Sequence, residues 1–184
     1  MSNDKITLAN LITNPPKGYD TTYQDIECIK YKGYSMSYRS WDSIKGLVDW
    51  KDKVVYDLSC FHGYFLFKAI DAEAKEAFSM GLDRCKPALD TCQLINNIRG
   101  SNALFKEWNA GDPIPGPTPD ILLCLNCFHH YEDQMIPTLK SMKAKQRIIF
   151  EIMRKDIDMV NKHTHVISSH KSARPERIIL VCTK

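Results

Sequence analysis

The chain has 184 residues, 43% of them hydrophobic and 26% charged, with a formal net charge of +3. That length and mixture suit one globular domain with a sizeable core and exclude a disordered or collagen-like chain. The apolar runs are too short to span a bilayer, and so small a net charge does not by itself argue for nucleic acid.

The opening residues, M-S-N-D-K, lack the basic-then-apolar pattern of a secretory signal, which points to a cytoplasmic protein. Seven cysteines is an odd number. Cys60, Cys92, Cys124 and Cys182 sit inside apolar patterns and read as reduced, mostly buried thiols. Cys124 and Cys127 have C-x-x-C spacing, but they continue a strand pattern and no second pair accompanies them. They read as structural, and no metal site is expected.

Residues 1–22 read as a flexible N-terminal segment. Asn14-Pro15-Pro16-Lys17-Gly18 is a breaker cluster, and Thr7 to Ile12 suit one helical turn. Residues 23–184 then read as a single domain. Ile26 to Lys32 alternate imperfectly and suggest a short strand or extended arm. The stretch from Gly33 to Ile44 interleaves Tyr34, Tyr38, Arg39 and Trp41. It reads as an amphipathic helix packing Trp41, Ile44 and Leu47 on a sheet, or as a cover over a ligand cleft with Arg39 pairing to a carboxylate. The two readings are compatible.

A regular alternation follows. Val54–Leu58 predicts a strand and Gly63–Ala72 a helix; Phe78–Asp83 a strand and Lys86–Ile98 a helix; Ala103–Trp108 a third strand. A Pro-rich loop from Gly111 to Pro119 precedes a buried strand at Ile121–Leu125. Glu132–Met142 predicts a helix, Arg147–Ile152 a strand and Lys155–Asn161 a short helix. Val166–Ser168 and Ile178–Cys182 close the pattern as two last strands. About seven strands, most separated by helices, make an α/β sheet that is mostly parallel, with helices on both faces and a C-terminal antiparallel hairpin.

Candidate chemistry collects at the carboxyl ends of these strands, where open α/β sheets bind ligands. Asp57, Leu58, Ser59 and Cys60 end the first strand, and Gly63 opens the helix after it. Asp83 ends the second strand about twenty residues on, where an acid accepts from both ribose hydroxyls of an adenosine. Asn109 and Asp112 follow the third strand. Asn126, Cys127, Phe128, His129 and His130 follow the fourth.

These stretches, D-L-S-C-F-H-G-Y-F, then G-L-D, then L-N-C-F-H-H-Y-E-D, resemble the motifs of the class I S-adenosylmethionine-dependent methyltransferases. Asp57, Leu58, Cys60, Gly63, Tyr64 and Phe65 match the family pattern D-L-G-C-x-x-G-Y-F. Ser59 and Phe61 stand where the family has its first and second glycines. The stretch Y-R-S-W-D-S-I ahead of the first strand faintly resembles methyltransferases of the transfer-RNA wobble-uridine type.

The resemblance implies a three-layer, Rossmann-like methyltransferase fold with S-adenosylmethionine as cofactor. It also implies a methyl acceptor that is a small molecule or RNA. By the same resemblance Asp57 would meet the methionine amino group through water or backbone. Ser59, Cys60 and Gly63 would border the methionine and ribose, with the Ser59 hydroxyl able to bond the amino group. Asp83 would hold the ribose hydroxyls, Arg84 would stack on the adenine, and Asn109 or Asp112 would meet the adenine edge. Asn126, with the Phe128 backbone, would lie nearest the sulfonium. His129 and His130 are candidate bases should the acceptor need to lose a proton. With two glycines replaced, two rivals stand beside this reading: a non-catalytic scaffold on the same fold, and an enzyme that degrades S-adenosylmethionine.

Overall fold

The computed structural model describes residues 3–15, 17–21 and 23–184. Three apolar segments form the middle of a seven-stranded sheet: β1 (Val55–Leu58), β4 (Ile121–Leu125) and β5 (Arg147–Met153). Both faces of these strands are covered, which is why they read as near-continuous apolar runs. β2 (Met80–Asp83) and β3 (Leu104–Glu107) extend the sheet on one side. β7 (Arg177–Thr183) and β6 (His165–Lys171) extend it on the other. The order is β3-β2-β1-β4-β5-β7-β6. The first five strands are parallel, and β7 runs antiparallel to both of its neighbours. Strand order therefore reverses between β1 and β4, and the tips of these two strands frame the crevice.

Side chains alternate across the strands and build two core layers. Tyr56, Leu58, Leu122, Cys124, Ile148 and Phe150 face Leu139, Met142 and Val160, which come from α5 (Met135–Ser141), the residue after it, and α6 (Ile157–His163). On the opposite face Val55, Ile121, Leu123, Leu125 and Ile149 meet Trp41, Ile44, Phe65 and Leu66. Those four side chains come from α2 (Ser37–Ile44) and α3 (Tyr64–Asp71). α4 (Lys86–Arg99) begins with Pro87 in its first turn and ends on Gly100 in the left-handed conformation, the usual start and stop of a helix.

The expected alternation of strands and helices is present, with differences at its edges. The second strand starts at Met80, because Glu76–Phe78 winds into a 3-10 turn that leaves the Phe78 ring exposed. The helix expected from Glu132 begins as another 3-10 turn. The closing strands are longer than expected and pair through a bulge between Val166 and Ser168. The arm at 26–32 is a tight turn, in which Ile26 and Tyr31 bridge around Glu27–Ile29 with Lys30 left-handed. In the N-terminal stretch α1 (Asn3–Thr13) runs beyond the single turn expected there. It packs Leu8 against Ile26, Phe67 and Ile95. Residues 1, 2, 16 and 22, which belong to the expected flexible segment, lie outside the described residues. Among the described residues no helix is long and apolar enough to cross a membrane.

Candidate active site

The turn from β1 to α3 makes the first wall. Ser59, Phe61 and Gly63 all have positive φ, at 55°, 51° and 75°. Glycine adopts this left-handed geometry freely and other residues at a cost. Two contacts hold the non-glycine members. Ser59 Oγ is hydrogen-bonded to the Tyr131 hydroxyl at 3.0 Å. The Phe61 ring packs among Tyr19, Tyr23 and His62. At Gly63 an added Cβ would lie 3.0 Å from the Phe67 ring and 3.1 Å from Phe105, so a side chain at the third position would be crowded as well as strained by φ.

Asp83, at the tip of β2, closes this turn. Its Oδ2 accepts from the Phe61 N–H at 2.9 Å and its Oδ1 from the Cys85 N–H at 2.8 Å. Burial raises its pKa, and those two N–H groups oppose the rise. Each oxygen keeps a further lone pair. Both residues and their neighbours surround a cavity of about 710 Å³ at the tips of β1, β2 and β4. Arg84, Trp108 and Asn109 line it beyond Asp83; Asn126, His130 and Tyr131 line it from the segment after β4. Asp20, Tyr23, Gln24, Ser35 and Ser37 cover it from the N-terminal side, and Arg174 from the loop between β6 and β7. Neither Ser59 nor Phe61 fills the cavity; both are part of its wall.

The cover is tied down by buried polar groups. The His62 N–H donates to Gln24 Oε1 at 2.9 Å, and His62 Nε2 pairs with the Tyr19 hydroxyl at 2.8 Å. That hydroxyl also meets Thr91 Oγ1 at 2.9 Å. Arg174 Nη2 donates to the Ser35 carbonyl at 2.7 Å. Below the cavity, Asn126 sits left-handed at φ 60°, and its amide is held by Glu151 and Arg177.

No family model matches the sequence. The chain is 31% identical over 109 residues to a tRNA U34 carboxymethyltransferase of Campylobacter fetus, covering 59% of this chain and 38% of that protein. The chain thus spans well under half the length of this curated relative. Among solved structures, the PH0226 protein of Pyrococcus horikoshii OT3 superposes with a TM-score of 0.71 at 16% identity, over 88% of this chain and 94% of that one. The magnesium protoporphyrin IX methyltransferase of Synechocystis PCC 6803, solved with bound SAH, gives 0.60 at 13% identity, over 80% and 81%.

The chain has the class I S-adenosylmethionine-dependent methyltransferase fold.

Within this methyltransferase fold the sequence-predicted residues divide into two groups. Ser59, Asp83, Arg84, Asn109, Asn126 and His130 come together on the cavity wall. Asp57, Cys60, Gly63, Asp112, His129 and Arg39 do not line it. Asp57 is fully buried behind the turn, with Oδ2 unpartnered. Burial holds its carboxyl well above the usual range, and the Leu66 N–H at the start of α3 opposes that shift. Cys60 packs against Leu89 and Cys92. Asp112 turns back, its carbonyl accepting from Trp108 Nε1 at 3.1 Å. Arg39 is exposed and donates to the Tyr38 hydroxyl. His129 is half-buried and stacks on His130 at 3.9 Å. Its pKa is pushed down to about 4 by burial and then by His130, Arg177, Lys155 and Arg174.

Sequence reasoning missed Gln24, Ser35, Ser37, Tyr131, Arg174, Glu151 and Arg177. Tyr131 sits one residue past the His pair and was within reach of motif reading. The others arrive by tertiary contact from segments without a local signature.

The wall fits a nucleoside. A buried carboxylate with spare lone pairs faces the cavity beside a turn whose alternate residues, Ser59, Phe61 and Gly63, are left-handed, and a guanidinium and an indole lie beyond it. Cys124 and Cys127, expected to be structural, approach to 3.6 Å and are free thiols, with Cys127 on the cavity wall.

Proposed function

We propose that the chain is an S-adenosylmethionine-dependent transferase that moves a methyl group to an RNA or small-molecule acceptor. One observation carries this reading: the Asp83 carboxylate, anchored by two backbone N–H groups, faces an open cavity at the switch point of a methyltransferase sheet. Residues 23–184 would form the cofactor-binding domain. Five buried free thiols suit a reducing compartment and hence the cytoplasm.

The cofactor supplies an activated methyl on a sulfonium. The protein's task is then to orient donor and acceptor, which is worth roughly 7–11 kcal/mol of barrier. Asp83 would hold the ribose, Arg84 and Asn109 would border the adenine, and the turn at Ser59 would border the methionine arm. The Asn126 side chain is committed to Glu151 and Arg177, so its contribution to the ligand would come through the backbone. His130, which lines the cavity, would take a proton from an acceptor. His129, neutral and off the wall, would support its ring.

Isothermal titration tests the cofactor. Binding of S-adenosylmethionine in the micromolar range is expected, and no heat at millimolar concentration would remove the reading. Incubation with labelled S-adenosylmethionine and bulk transfer RNA or cell metabolites tests transfer. Label in either pool with S-adenosylhomocysteine released is expected; adenine or lactone products would favour a degrading enzyme instead. His130→Ala should lower turnover about a hundredfold or more with little change in cofactor affinity.

A second reading has its own support. Arg174 reaches the cavity, bonds a carbonyl, and has no carboxylate partner among the described residues. A donor whose transferred group carries a carboxylate would match it, as the name of the Campylobacter fetus relative suggests. Mass spectrometry of the modified acceptor separates a methyl from a carboxymethyl adduct.

A further inference from the structure

The Asn126 amide joins two buried charges. Its Oδ1 accepts from Arg177 Nη1, and its Nδ2 donates to Glu151 Oε2 at 2.5 Å. The Asn126 N–H also donates to the Glu151 carbonyl at 3.0 Å. Glu151 is fully buried, and its second oxygen accepts from the Ser172 hydroxyl. Arg177, on β7, is 7% exposed. Register explains the meeting: Glu151 lies opposite Leu125 of β4 and Ile179 of β7, so its side chain rises beneath the turn that starts at Asn126. Taking two charges out of water is costly, and bridging them through an amide is a poor device for stability alone; the carboxylate that Arg177 meets directly is the half-exposed Glu176, 3.6 Å from its Nε. Its place directly under a cavity-lining residue gives it a field to exert there. Charges in a low-dielectric interior act over several ångströms without contact.

We infer that Glu151 and Arg177 are specificity-determining residues that set how strongly the cavity prefers a sulfonium cation to the neutral thioether left after transfer. This rests on the cofactor reading proposed above. Glu151 adds negative potential under the cavity floor and favours the charged donor. Arg177 offsets it and keeps the preference moderate. Loss of the positive charge on transfer then removes an attraction, which helps the spent cofactor leave.

The test is the ratio of dissociation constants for S-adenosylmethionine and S-adenosylhomocysteine, measured by titration on the full chain. Glu151→Gln should shift the ratio about tenfold against the sulfonium, the size expected for one buried charge nearby. Arg177→Gln should shift it the opposite way. Glu151→Asp, which keeps the charge on a shorter stem, should leave the ratio near the wild-type value even where both affinities fall. Structural damage alone would move both ligands together. Equal shifts for both ligands, or shifts of the same sign in the two glutamine variants, overturn the inference. Should Glu151→Gln fail to fold, Arg177→Gln against Arg177→Lys gives the same comparison with the sign reversed. A wild-type chain that binds neither ligand sinks the proposed function instead, so the two failures are distinct.

Discussion

Ser59, Phe61 and Gly63 share one backbone geometry, and only the glycine adopts it without strain. A left-handed conformation costs an L-residue roughly 1–2 kcal/mol. At Ser59 the bond to Tyr131 returns about 1 kcal/mol. Ser59→Gly should therefore leave stability within about 1 kcal/mol of wild type, because relief of strain offsets the lost bond. Ser59→Ala keeps the strain and loses the bond, and should cost about 1 kcal/mol in urea unfolding. A Ser59→Ala variant as stable as wild type would show that the hydroxyl pair contributes nothing. At Asp83 the expected loss is larger. Asp83→Ala strips two backbone donors of their acceptor as well as the proposed ribose contacts. Titration should show cofactor affinity down by about tenfold or more, with a lower melting temperature.

Among the elements, α1 shows why local pattern and final structure part company. α1 has 11 residues, too few to be stable alone in water. What holds it is Leu8, fully buried against side chains from the turn at 26–31, α3 and α4. Leu8→Ala should cost about 2–5 kcal/mol by urea unfolding, the range for emptying a buried leucine site. That dependence on distant partners is why the sequence displayed just one turn of it. β1, β4 and β5 were legible because strands covered on both faces leave continuous apolar runs. The start of β2 was not, since Phe78 is a good strand former that tertiary structure turns outward. The site divides the same way. Asp83 announced itself by ending a strand at the right distance from Gly63. Glu151 and Arg177 gave no such signal, because antiparallel register between β5 and β7 brings them together. Gly81 makes a related point: an added Cβ would lie 2.7 Å from the Phe105 ring and 2.8 Å from Cys60 Sγ. Gly81→Ala should destabilise by about 1–3 kcal/mol through overpacking.

For the molecule as a whole, the cavity depends on how the N-terminal cover is fastened to the sheet, and His62 is the main fastening. Burial pushes its pKa down to about 4, against about 6.5 in an unfolded chain. As pH falls, the unfolded chain takes up this proton first. The His62 contribution is therefore complete above about pH 6.5 and is lost as pH falls through about 4, by on the order of 3 kcal/mol. His129 acts in the same direction but is more exposed and contributes less. Asp57 and Asp83, held above the usual carboxylate range, act in the opposite sense at acid pH. Comparison of wild type with His62→Gln isolates the histidine: urea unfolding from pH 7 to 4.5 should show a flatter profile in the variant. Parallel profiles would mean that His62 binds its proton equally well in the folded and unfolded chain, and that burial does not hold its pKa down.

The left-handed turn has a further thermodynamic consequence. A loop built from three glycines samples many shapes and must become ordered when a nucleoside arrives. Here an aromatic ring wedged among two tyrosines and a histidine, and a hydroxyl latched to Tyr131, hold two of the three positions before any ligand comes. The disorder given up at this loop belongs to folding, so calorimetry should find association less opposed by entropy than in a glycine-rich counterpart.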